Sequence, residues 1–137
     1  MATSPIKLAV VVRGDLPLWQ KLNLTAFVSS GVARALPHAV GEPYVDGSGL
    51  EYLPMFAHPV VVMSADGAGL SRALRRARER GLAVAVYSDD LFATMNDADN
   101  RAAVAKRATD DLPLAGLFVA GDPKQVDKAL DRLRLHA

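Results

Sequence analysis

The chain has 137 residues, half of them apolar, with 16 basic and 15 acidic side chains and no cysteine. That length suits one domain over residues 1–137 that can bury roughly two-thirds of its unfolded surface, and the apolar content excludes a disordered chain. The missing cysteines exclude disulfides, thiolate zinc sites and thiol nucleophiles and lead us to expect a cytoplasmic protein, the charge balance gives no whole-chain argument for nucleic acid, and neither a signal-peptide pattern nor a run long enough to span a membrane is seen.

The stretch from Lys7 to Gly31 reads as a buried strand, a tight polar turn and a helix. Leu8 to Val12 is an unbroken aliphatic run rich in β-branched residues, the pattern of a strand buried on both faces. Gly14 and Pro17 break it. From there Trp19, Leu22, Ala26 and Phe27 recur at helical spacing, widened by Leu24 and Val28. So apolar a helix is expected to be covered on more than one side, and Pro37 ends it.

Gly41 to Phe56 predicts a β-hairpin excursion, about residues 41–57, turning at Asp46-Gly47-Ser48-Gly49. Pro43 and Pro54 confine it to an edge. Val60 to Met63 reads as a second buried strand, Asp66 to Gly69 as a turn, Leu70 to Arg80 as a helix closed by Gly81, and Leu82 to Tyr87 as a third strand. A right-handed parallel crossover is expected of that unit. A polar connection opens at Ser88 and holds a helix over Ala98 to Arg107. Leu114 to Ala120 is the last predicted strand. Asp122 and Pro123 then start a final helix with a buried stripe of Val126, Ala129, Leu130 and Leu133. This order predicts an α/β protein, a three-layer α/β/α sandwich with a mostly parallel central sheet.

In such sheets ligands sit at the carboxyl ends of strands, here Arg13 to Lys21, Ser64 to Gly69, Ser88 to Thr94 and Gly121-Asp122. The Lys21 ammonium at a helix start would bind an anion or a developing oxyanion, with Asp15 orienting it or a water. The alternative is a plain turn and a solvated lysine. Gly67-Ala68-Gly69, with Asp89 about twenty residues later, imitates a dinucleotide-binding fingerprint. Arg72 stands where that motif needs its third glycine, and a tight turn with Ser64 or Asp66 capping the helix is the other reading. Arg72, Arg76 and Arg80 recur every four residues and would either grip phosphates or form a solvated outer face. His38, His58 and His136 have no partners at metal-ligand spacing, and Asp89, Asp90, Asp97 and Asp99 do not form a calcium loop. Asp97 or Asp99 is expected to cap the helix at Ala98. No metal and no cofactor are expected.

With Val11-Val12-Arg13-Gly14-Asp15-Leu16, LPLWQKLN, YLPMF and the Arg76 to Val86 segment in view, the chain is identified as a member of an uncharacterised domain-of-unknown-function family that resembles the type II peptidyl-tRNA hydrolases. The resemblance implies a three-layer α/β/α fold with a mixed sheet, a homodimer, and metal-free cleavage of the ester between peptide and tRNA. It assigns catalysis to Lys21, Asp89 and Thr94, and Arg13, Asp15 and Thr25 are expected beside them as ligand-binding residues. Lysine would hold phosphate or the oxyanion, while aspartate and threonine would position water. Pro17-Leu18-Trp19-Gln20 replaces the glycine–lysine loop of those hydrolases, and an extra residue precedes Thr94. The expected partner is tRNA or a smaller anionic ligand, with no membrane. Two alternatives stand beside it: a non-catalytic homodimeric domain that kept the fold, and a nucleotide-binding module at Gly67 and Gly69.

Overall fold

The computed structural model describes residues 5–137. In chain order they form β1 (Lys7–Arg13), α1 (Leu18–Ala35), β2 (Tyr44–Val45), β3 (Glu51–Tyr52), β4 (Val60–Ala65), α2 (Gly67–Glu79), β5 (Ala83–Ser88), α3 (Asp97–Ala105), β6 (Leu114–Gly121), α4 (Pro123–Ala129) and β7 (Arg134–Leu135). One sheet has the order β5-β6-β1-β4-β7, while β2 and β3 pair with each other as the predicted hairpin. No helix of the described residues is long and apolar enough to cross a membrane.

β1 lies mid-sheet, parallel to β4 from Leu8↔Val60 to Arg13↔Ala65 and antiparallel to β6 from Lys7↔Gly121 to Val12↔Gly116. Leu8 to Val12 are each at most 2% exposed. Because side chains alternate along a strand, this run feeds two cores. Leu8, Val10 and Val12 pack in a cluster with Leu24, Val28 and Val32 of α1 and Phe118 of β6. Ala9 and Val11 pack in the other, with Leu70, Leu74 and Ala77 of α2 and Val126 of α4. Helices thus cover both faces of a mixed sheet.

Several expectations need correction. The sheet is not mostly parallel, for β1 with β4 is its one parallel pair and the β1·β6, β5·β6 and β4·β7 pairings are antiparallel. A continuous apolar run reports burial on both faces but not strand direction. β4 and β5 are not neighbours, since β1 and β6 lie between them. The reversal of β6 also carries Gly121-Asp122 to the opposite end of the sheet from Arg13.

α1 faces the sheet with Leu24 and Val28, which only widened the predicted stripe, and with Val32, while Trp19, Leu22 and Phe27 of the stripe and Leu18 are exposed. With apolar residues nearly all round the helix, periodicity could not choose the inner face. β4 is not fully buried, because Val60 and Val62 are exposed on one face. α2 begins at Gly67, so Gly67 to Gly69 is its first turn, with the Asp66 carboxylate accepting the Gly69 N–H at 2.7 Å. Gly81 follows it with φ +67°, the left-handed position expected of a closing glycine.

The arginine row of α2 is no open outer face. Arg72 donates to the Asp131 carbonyl at 3.1 Å and Arg80 to Gln125 at 2.8 Å, so its long stems lie toward α4 and the segment after it. Asn96, not Asp97 or Asp99, caps α3 by accepting the Asp99 N–H. The final helix stops at Ala129, Arg132 takes φ +71°, and the chain returns as β7.

Gly116 lets α1 approach the sheet. A Cβ there would lie 2.5 Å from a Leu24 methyl and 2.9 Å from the Val11 carbonyl. Gly116→Ala is expected to destabilise by about 1–3 kcal/mol and Leu24→Ala by about 2–5 kcal/mol. The double variant should lose less than the sum in urea unfolding, because truncating Leu24 relieves part of the overlap.

Candidate functional site

The carboxyl ends of β1, β4 and β5 and the start of β6 meet at one edge of the sheet. At this edge Arg13 ties three strands together. Its Nε donates to Asp15 at 2.7 Å, and its Nη1 lies 2.9 Å from both Asp89 oxygens and 2.9 Å from the Leu114 carbonyl. The Arg13 side chain is one-fifth exposed. Its pKa is raised, first by the hydrogen bond to Asp89, against the opposing effect of burial. Asp15 is held below the usual carboxylate range, chiefly by the hydrogen bond from Arg13. This network uses much of the polar capacity of Arg13, Asp15 and Asp89 in joining the chain to itself. Nη2 of Arg13 has no partner among the described residues.

Beside this tie lies a cleft of two adjoining hollows, about 460 and 400 Å³, which share Gly14, Ser64, Ala65 and Asp66. The Gly14 N–H donates to the Ala65 carbonyl at 3.0 Å, fixing the end of β1 against β4. Lys21 enters from the first turns of α1, which starts after Pro17 without a side-chain cap. The opposite wall is β7 and its flanks, Arg132, Arg134 and His136. β7 pairs Arg134 with Ser64, and the His136 N–H donates to the Val62 carbonyl at 2.9 Å.

That return places the Lys21 Nζ 3.1 Å from the His136 Nε2. An ammonium only donates, so in this contact Nε2 is the acceptor, while Nδ1 lies 2.8 Å from a main-chain oxygen of Ala137. Lys21, Arg132 and Arg134 outnumber Asp66 around the larger hollow, which favours an anion. The Asp66 carboxylate is engaged as the cap of α2.

The residues singled out in the sequence fall in different places. Lys21, Arg13 and Asp15 line the two hollows, and Asp89 reaches the cleft through Arg13. Thr94 lies in a separate recess, donating to the Leu91 carbonyl or to Asn100. The Thr25 hydroxyl donates to the Lys21 carbonyl at 2.7 Å, a bond within α1. Gly67 touches the smaller hollow and Gly69 is the capped position of α2. Among the described residues no group of three His, Asp or Glu side chains could hold a metal ion. The segment from Ser64, expected at a strand end, does line the cleft, whereas sequence reading missed Arg132, Arg134 and His136 as cleft residues. His136 carried no usable signal, since its partner lies 115 positions away.

The sequence model of the family described as "Protein of unknown function (DUF2000)" matches residues 6–137. Among solved structures, that of Atu0240, a protein of unknown function from Agrobacterium tumefaciens str. C58, superposes with a TM-score of 0.93 at 39% identity, covering 96% of this chain and 98% of that one. No curated protein matches the chain.

The Arg13–Asp15 pair gives a pH test. A carboxyl with a lowered folded pKa stabilises fully above its unfolded value, about 4, and the benefit fades as pH falls through the folded value. The urea midpoint should fall between pH 7 and about pH 3 by less in Asp15→Asn than in the wild type. Because Asp15 is exposed, the difference should shrink in high salt.

Proposed function

The chain belongs to the DUF2000 family of proteins of unknown function, and we propose that its cleft binds an anionic acyl ester and hydrolyses it. The observation that carries this reading is the Lys21–His136 pair in a cationic cleft at the carboxyl ends of β1 and β4. The sequence resemblance to type II peptidyl-tRNA hydrolases supplies the concrete substrate, peptidyl-tRNA, and the idea of a fold shared with them.

In this reading the ester carbonyl takes over the Lys21 hydrogen bond, and that leaves the His136 Nε2 free to accept a proton from water. The resulting hydroxide adds to the carbonyl carbon, Lys21 holds the oxyanion, and the ester C–O bond breaks as His136 returns the proton to the leaving alcohol oxygen. Arg132 and Arg134 hold phosphate. Asp89 acts by fixing Arg13, whose free Nη2 can reach a ligand anion together with Asp15 as the positioning group. Thr94 and Thr25 take no direct part.

Purified wild type is expected to release peptide from peptidyl-tRNA. Lys21→Ala should slow this about 10²- to 10³-fold, and His136→Gln about 10²- to 10⁴-fold. Folded wild type that releases no peptide above the buffer rate would overturn the hydrolase reading.

A second reading, a non-catalytic homodimer, is favoured by one surface. Leu18 and Leu22 on α1 and Leu53 and Met55 near the hairpin are all more than half exposed, a large apolar display for a monomer. A second copy covering that face predicts dimers in sedimentation equilibrium and monomers for Leu22→Glu, with no hydrolysis by either.

A further inference from the structure

A second recess, about 340 Å³, lies between α1 and α3 and is distinct from the cationic cleft, with which it shares no wall residue. Four of the chain's eight aromatic side chains, Trp19, Phe27, Tyr87 and Phe92, line it. Trp19 and Phe92 have centroids 5.9 Å apart at 73°, Tyr87 and Phe92 4.8 Å apart at 50°, and Phe27 and Tyr87 5.9 Å apart at 47°. None of these pairs is parallel; Tyr87 is buried as the floor of the recess, whereas Trp19 and Phe27 are more than half exposed. Trp19, the only tryptophan, is 60% exposed at this recess.

The polar part of the wall is amide-rich. The Asn23 oxygen lies 3.4 Å from the Tyr87 hydroxyl, and the Asn100 oxygen accepts from Thr94. The amide nitrogens of both asparagines have no partner among the described residues. They are unspent donors beside aromatic walls. Asp97 is the one charged residue on the wall, and it is paired with Arg101. A free anion finds no cation here, and the one carboxylate lies at the exposed rim beside Arg101. What fits is an uncharged flat ring whose edge carries hydrogen-bond acceptors.

The geometry points to a nucleobase-binding site in this recess, with the base stacked on Trp19 and Phe92 above the buried Tyr87 and its acceptor edge read by the Asn23 and Asn100 amides. The base comes either from a free nucleoside or from single-stranded RNA, and the chemistry of the contact is the same. The site does not depend on hydrolysis in the cleft, and its failure would leave the Lys21 and His136 tests unaffected.

Trp19 is a built-in reporter. Its fluorescence, excited at the red edge of indole absorption where nucleosides are transparent, would be followed during titration with adenosine, uridine, a short single-stranded oligoribonucleotide and choline. Saturable quenching by a nucleoside is expected, weakened about 5- to 150-fold in Phe92→Leu. Asn100→Ala, a change at a half-buried helix position, should weaken it with the circular dichroism spectrum unchanged. Arg134→Ala in the other cleft should leave nucleoside binding as it was. Saturation with the oligoribonucleotide alone would assign the site to a base within RNA. Saturation by none of the probes, by choline alone, or equally in wild type and both recess variants would overturn the assignment.

Discussion

The double-sided burial of β1 is the constraint on which the rest depends. Leu8 to Val12 lie in the middle of the sheet, hydrogen-bonded on both edges and almost wholly out of water on both faces. Each fully buried Val or Leu side chain is worth about 1.5–3 kcal/mol. A strand with no polar face must be covered twice. α1 supplies one cover and α2 with α4 the other, and the alternation of β1 divides the apolar core into two clusters.

The chemistry at the end of β1 follows from this placement. Once Arg13 leaves the buried run, its guanidinium reaches β5 and β6 through Asp89 and the Leu114 carbonyl. A planar donor fork suits this task, because it serves several acceptors from one rigid group. The tie leaves the adjoining space over Gly14 and Ser64 as an open cleft. β7 then closes its far side. Two residues of pairing to β4 are enough to bring His136 to Lys21, because the main-chain bond from His136 to Val62 extends the register by one more position.

α1 lines two hollows with two faces. Lys21 looks into the cationic cleft, while Trp19, Asn23 and Phe27 look into the aromatic recess. A third set, Leu24, Val28 and Val32, is committed to the sheet. This division explains why the helix is apolar nearly all round without being buried all round. Its exposed large side chains are partly walls of a recess rather than core.

By itself, the sequence determined the elements. The aliphatic runs located β1, β4, β5 and β6, the glycine and proline breaks located the turns, and Gly81 and Asp122-Pro123 marked helix ends where the structure has them. These signals are local, set by backbone sterics and by the hydrogen bonds that a short side chain can offer. Only the tertiary structure decided the rest: the antiparallel run of β6, the inner face of α1, the late return of β7, and the meeting of Lys21 with His136. An apolar run carries no direction. A helix with apolar residues on every side carries no preferred face. A two-residue strand has no period to detect. A contact across 115 positions is written in the packing of the whole sheet rather than in any stretch of the chain.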